Sequence, residues 1–137
     1  MTPGAHSYAG TMTAAGDGGR AKTRVIVHSE SGAAATLDLP VDPTRTYTWI
    51  PVDVALAIGL RRIGVCSVLN EQGRVVTRAL AEVHLEFEGR RRPATVVLCE
   101  VGDHAALGAL ALEAFDLALD PRSGGVRPAE TLLELLA

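Results

Sequence analysis

A strand, a turn and a short helix occur twice in this chain, at Leu37–Leu60 and at Val96–Phe115, and this pseudo-repeat constrains the fold more than any single residue does. In the first half, Thr46–Ile50 supplies β-branched and aromatic residues that favour a strand. Val52–Leu60 then puts apolar residues on one helical face and meets a glycine stop. In the second half, Val96–Cys99 is an apolar run, and Ala109–Asp116, rich in Ala, Leu and Glu, favours a helix. The two halves match in architecture, not in residues. Between them, Cys66–Val76 has two apolar runs around a polar, glycine-containing tip, which predicts a hairpin. Ala81–Glu88 alternates polar and apolar residues as a half-buried strand does, and Gly89 with Arg90–Pro93 predicts the turn into Ala94–Cys99. A last strand and turn follow at Leu117–Arg122. The expectation is a mainly β domain, antiparallel, with two short helices.

Composition limits what such a domain can be. At 137 residues the chain is one domain, large enough to bury roughly two thirds of its unfolded surface. Hydrophobic residues make up 47% but aromatics only 4%, so the core has to be built from Val, Leu, Ile and Ala, and burial across a dimer interface would help it. A net charge of −3 argues against a nucleic-acid partner, with Arg90–Arg92 read as a solvated turn. Cys66 and Cys99 make no disulfide framework and are expected to be reduced and partly buried. No apolar run reaches membrane-spanning length, so no membrane partner is expected. Residues 1–22 are rich in Gly, Ala and Thr and lack a charged start with a continuous apolar segment. They read as a flexible tail, not a signal peptide, and a cytoplasmic location follows as an expectation. The domain proper spans 23–128. The end at 129–137, preceded by Pro128 and carrying paired leucines, predicts an amphipathic helix starting near Arg127 that buries its leucines against its own domain or a partner.

Several chemistries lack the residues they require. His6, His28, His84 and His104 are scattered, and no His or Cys pair has a metal-ligand spacing. Gly16–Gly19 has neither the strand nor the helix of a phosphate loop, and Lys22, the only lysine, is misplaced for one. Ser7, Ser29, Ser31, Ser67 and Ser123 sit in no nucleophile-elbow frame. No metal and no cofactor are expected.

The chemistry concentrates in Val41–Pro51, where Asp42 is followed by Pro43-Thr44-Arg45 and then Thr46-Tyr47-Thr48-Trp49-Ile50-Pro51. Taken residue by residue, this is a turn running into a strand. In its frame it resembles the active-site loop of retropepsin-like aspartic proteases, the bacterial single-domain type, in which a hydrophobic strand leads into Asp-Thr-Gly-Ala, a short apolar stretch, Pro and a helix. The resemblance extends over roughly 23–128. It implies a retropepsin-like half-barrel that forms a homodimer, with Asp42 as the catalytic carboxylate and Pro43, Thr46, Ala106, Leu107 and Gly108 as structural motif positions. It further implies a flap at the Cys66–Val76 hairpin, and substrate contacts at Thr44, Arg45, Gln72, Gly73 and Arg74.

Where the family has Thr-Gly-Ala, this chain has Pro43-Thr44-Arg45, and each change has a physical consequence. Pro43 lacks the hydroxyl and the N–H that lock two such loops across a dimer axis. Thr44 puts a branched Cβ where glycine allows close approach. Paired carboxylates about 3 Å apart work by sharing one proton. A guanidinium about 4 Å away opposes that by up to a few kcal/mol at an effective dielectric of about 20. Two orientations of Arg45 remain open: into the cleft, or outward to a carboxylate such as Glu113.

Three functional readings follow. The first is an aspartic endopeptidase homologue that hydrolyses peptide bonds through paired Asp42 in a homodimer, with its activity weakened or lost by the altered triplet. The second is a noncatalytic peptide-binding or structural homodimer of the same fold. The third is a β scaffold unrelated to proteases. The fold of the first with the reduced chemistry of the second is the reading the residues favour, with a peptide or protein as partner.

Overall fold

The computed structural model describes residues 21–70 and 72–129. The N-terminal tail, apart from its last two residues, lies outside the described residues, as does the leucine-rich segment from 130. The chain order is β1 (Lys22–His28), β2 (Ala34–Pro40), β3 (Thr48–Pro51), α1 (Val52–Ala57), β4 (Arg62–Leu69), β5 (Val75–Phe87), β6 (Arg90–Cys99), α2 (Ala109–Ala114), β7 (Leu117–Leu119) and β8 (Val126–Pro128). The described residues are mainly β, with two six-residue helices. One open sheet runs in the order β2-β1-β5-β6-β3, with β4 also on β5, and β7 and β8 form a separate ribbon. All pairings are antiparallel except β3 with β6.

β5 is the spine of the sheet. Its thirteen residues pair with β4 over Val75–Ala81, with β6 over Leu80–Phe87 and with β1 over His84–Glu86. The second arm of the expected hairpin and the strand expected at Ala81–Glu88 are therefore one continuous strand. Ala79, Ala81, Val83, Leu85 and Phe87 point inward at the two-residue period of a pleated strand.

The expected turn at Gly89–Pro93 is corrected by the pairing. Only Glu88 (φ 49°) and Gly89 (φ 80°) turn the chain, while Arg90–Pro93 continue in β6 opposite Phe87–His84. Two consecutive positive φ values match the right-handed twist of the flanking strands, so a two-residue loop suffices. The arginines are correspondingly more than a solvated turn. The Arg90 and Arg92 guanidinium carbons lie 5.7 and 5.9 Å from the buried Phe115 ring, and Arg90 Nη2 donates to the Phe115 carbonyl at 3.2 Å.

The core is aliphatic, as the composition requires. Val25, Val27, Leu37, Leu39, Ile50, Val54, Leu85, Val96 and Leu107 are buried between the sheet and the helices, with Phe115 packed against Phe87 at 5.9 Å. Each such aliphatic side chain contributes about 1.5–3 kcal/mol of transfer free energy. α1 stops at the glycine the sequence marks. The Gly59 N–H (φ 71°) donates to the Leu56 carbonyl at 3.2 Å and the Leu60 N–H to that of Ala55 at 2.9 Å, the paired closure of a helix C-terminus.

The C-terminal helix does not begin at Arg127. Val126–Pro128 pair with Leu117–Leu119, and the Ala129 N–H donates to the Asp116 carbonyl at 2.8 Å. A two-strand ribbon gives these backbone groups partners earlier than a helix would. Neither cysteine is in a disulfide, and Cys66 is half-buried and Cys99 buried.

Candidate functional site: the Asp42 cleft

The Asp42 loop is held by the segment that precedes α2. Val41 and Leu107 form a parallel bridge in which the Leu107 N–H donates to the Pro40 carbonyl at 2.8 Å and the Asp42 N–H to the Leu107 carbonyl at 2.9 Å. Trp49 and Ala106 exchange N–H···O bonds of 2.9 and 3.1 Å. Ala106-Leu107-Gly108 thus runs between the two limbs of the 41–49 loop. The loop in turn completes α2: the Arg45 and Thr46 carbonyls accept from the N–H groups of Ala109 (2.8 Å) and Leu110 (3.1 Å), donors with no partner inside their own helix. The buried Thr48 hydroxyl accepts from the Gly108 N–H at 3.0 Å. A Cβ on Gly108 would lie 2.3 Å from the Tyr47 carbonyl oxygen, so only glycine fits there.

Within this frame Asp42 closes a tight turn on itself. Oδ1 accepts from the Thr44 N–H at 3.1 Å and the Thr44 hydroxyl at 2.5 Å, and the Arg45 N–H donates to the Asp42 carbonyl at 3.2 Å. Pro43 fits the second position of that turn, where a fixed φ and a missing N–H cost nothing. Arg45 folds inward. Its Nε donates to Asp42 Oδ2 at 3.1 Å, its Nη1 to the His104 carbonyl at 2.6 Å, and its guanidinium carbon lies 5.1 Å from the centre of the Trp49 ring. Of the two orientations open from sequence, the structure has the inward one, on Asp42. Burial pushes the Asp42 carboxyl up, but the Thr44 hydroxyl and amide, together with the Arg45 charge, outweigh it and hold the group below the ordinary carboxylate value.

A second ion pair lies beside the first. Arg78 of β5 grips Asp103 with Nε on Oδ2 at 2.6 Å and Nη2 on Oδ1 at 3.0 Å, and the Glu100 N–H adds a bond to Oδ2 at 2.8 Å. Their side chains are only 11% and 6% exposed. Burial pushes the Asp103 carboxyl up, and Arg78 and the Glu100 amide overcome that and bring it below the ordinary value. This pair ties the middle of the β4–β5 hairpin, where Arg78 lies opposite Cys66, to the segment whose His104 carbonyl holds Arg45.

These groups surround a cleft of about 630 Å³, floored by Asp42, Thr44, Arg45 and Thr46, backed by Tyr47 and Trp49, and walled by Ser67–Asn70 of the hairpin with Asp103 and His104 opposite. The structure therefore brings Asp42, Thr44, Arg45 and Thr46 together, with Ala106, Leu107 and Gly108 supporting them from behind. It does not bring Gln72, Gly73 and Arg74 into the cleft. They form the hairpin tip, where Asn70 Oδ1 accepts from the Gln72 and Arg74 N–H groups at 3.0 Å each, and the wall is made by the strand before the tip. Tyr47, Trp49, Ser67, Asn70, Asp103, His104 and Arg78 are site residues that sequence reasoning missed. The local cue was Asp103 just past the end of β6, a residue type that commonly caps a turn with its side chain.

Among the described residues, no group of three or more His, Cys, Asp or Glu is placed to hold a metal ion, and no helix is long and apolar enough to cross a membrane. Neither a scan against protein-family models nor a search of the curated proteins finds a match for this chain.

Proposed function

We propose that this chain is a retropepsin-like domain that works as a homodimer and holds extended peptides in the Asp42 cleft, with peptide-bond hydrolysis weak or lost. The observation that carries the reading is the Arg45 guanidinium on the Asp42 carboxylate at 3.1 Å. Hydrolysis by paired aspartates needs one carboxyl protonated and the other ionised. Here Asp42 is ionised and already partnered, and a second Asp42 from another copy would bring a second Arg45 with it. The family part of the proposal is supported by the interlacing of the Asp42 loop with Ala106–Gly108 and by the hairpin that walls the cleft. Peptide binding is supported by β4, which among the described residues pairs with β5 alone and so offers its other edge to an extended chain.

The test is cleavage and capture of a mixed peptide library from about pH 3 to 8, with the oligomeric state measured alongside. The wild-type dimer should bind peptides and cleave none or few. Restoring Pro43→Thr, Thr44→Gly and Arg45→Ala together should create or greatly raise acid-optimum cleavage. Robust wild-type cleavage that disappears in Asp42→Ala would instead make the chain an active peptidase. A protein that stays monomeric would remove the two-carboxylate mechanism.

A further inference from the structure

We propose that the Asp42 cleft is a receptor for a basic side chain, an arginine of a bound peptide above all, and that Arg45 fills this receptor from within the chain. The inference rests on the peptide-binding reading above and names the side chain such a peptide would present.

A guanidinium site is made from a carboxylate, a further oxygen acceptor and an aromatic face. All three converge on Arg45, as Asp42 Oδ2 at 3.1 Å, the His104 carbonyl at 2.6 Å and the Trp49 ring at 5.1 Å. They come from the 41–49 loop, β3 and the segment after β6, so the tertiary fold assembles the receptor, and Arg45 reaches it only because its own loop borders it. The two oxygens of Asp42 have separate duties. Thr44 occupies Oδ1 with two hydrogen bonds, which leaves Oδ2 to face the cation. The carboxylate therefore keeps its orientation whether or not Arg45 is on it.

The two acids of the cleft are also unequal. Asp103 is 6% exposed and held by two bonds from Arg78, whereas the Asp42 side chain is 24% exposed at the cleft floor. If Arg45 swings away, Asp103 stays neutralised, and Asp42 presents a net negative charge beside an indole. An incoming arginine satisfies that charge and face; a neutral or acidic side chain does not. The free protein is thus plugged, and peptide affinity is set by competition with Arg45.

Trp49 is the only tryptophan of the chain, so its emission reports on the site directly. N-acetyl-arginine amide and its uncharged isostere N-acetyl-citrulline amide would be titrated into the full-length wild type, Arg45→Ala and Arg45→Gln. The arginine compound should bind both variants about tenfold or more tighter than it binds wild type, and by a similar factor tighter than citrulline binds them. Adding Asp42→Asn should abolish the gain. Equal affinity for arginine and citrulline, or no gain over wild type in a folded variant, overturns the proposal. Should the variants be destabilised, methylguanidinium must raise their melting temperature more than that of wild type, and failure to do so also overturns it. Failure of neutral extended peptides to bind wild type would end the peptide-binding reading by itself, while the arginine result would stand or fall separately.

Discussion

Arg45 sets the chemistry of a loop whose shape it does not disturb. The loop keeps its backbone bonds to Leu107 and Ala106, and the Thr44 hydroxyl and amide, with the Arg45 guanidinium, hold its carboxyl below the ordinary value. Three consecutive residues act together on Asp42: Pro43 turns the chain, Thr44 binds Asp42 through amide and hydroxyl, and Arg45 closes the remaining oxygen. That Arg45 lies within reach of Asp42 was legible from its position, while its orientation was left open. That Thr44 turns back onto Asp42 was not legible, because a side-chain hydroxyl has several partners within reach. Thr48 makes a separate prediction at this scale. Its hydroxyl accepts from the buried Gly108 N–H, so Thr48→Val should cost about 1–3 kcal/mol of unfolding free energy in denaturant titration, and Thr48→Ser much less.

Among the elements, the helices followed from local pattern, as Gly59 after α1 and the Ala/Leu-rich run that forms α2 show. β5 did not, since its start read as the apolar second arm of a hairpin and Ala81–Glu88 as a separate strand until β4 and β6 are seen to share it. The segment Ala106–Gly108 matters most for the site, because it carries both the Asp42 loop and the start of α2. Gly108→Ala places a Cβ 2.3 Å from backbone oxygen that no side-chain rotation can relieve. It should destabilise the domain by about 3 kcal/mol or more and shift Trp49 emission, as thermal unfolding followed by fluorescence would check.

For the whole molecule, lowered carboxyls link stability to pH, and the two in the cleft are Asp42 and Asp103. A group whose pKa is lower folded than unfolded adds stability above its unfolded value, and loses it as pH falls through the folded one. Asp42 and Asp103 both behave so, with the loss setting in below about pH 4. The protein should therefore weaken in the acid range where paired aspartates work best. Asp103→Asn should remove part of that acid dependence and cost about 2 kcal/mol at neutral pH, where Arg78 loses its bidentate partner and keeps the Glu100 carboxylate at 3.4 Å. Denaturant midpoints measured across pH for wild type and variant would show both effects; an unchanged pH slope would contradict the linkage.

What the sequence determined by itself was local: the two-residue period of the strands, the placing of two short helices, the aliphatic core, and the chemical meaning of a carboxylate followed by proline, threonine and arginine. These depend on neighbours within a few positions, and the chain states them openly. The tertiary structure alone decided which groups meet. Arg45 finds a carbonyl 59 positions away, Arg78 an aspartate 25 away, and Gly108 a hydroxyl 60 away. The cleft wall fell to Ser67–Asn70 and not to the hairpin tip because the twist and pairing of β4 on β5 aim that strand, and no periodicity in the sequence encodes the aim.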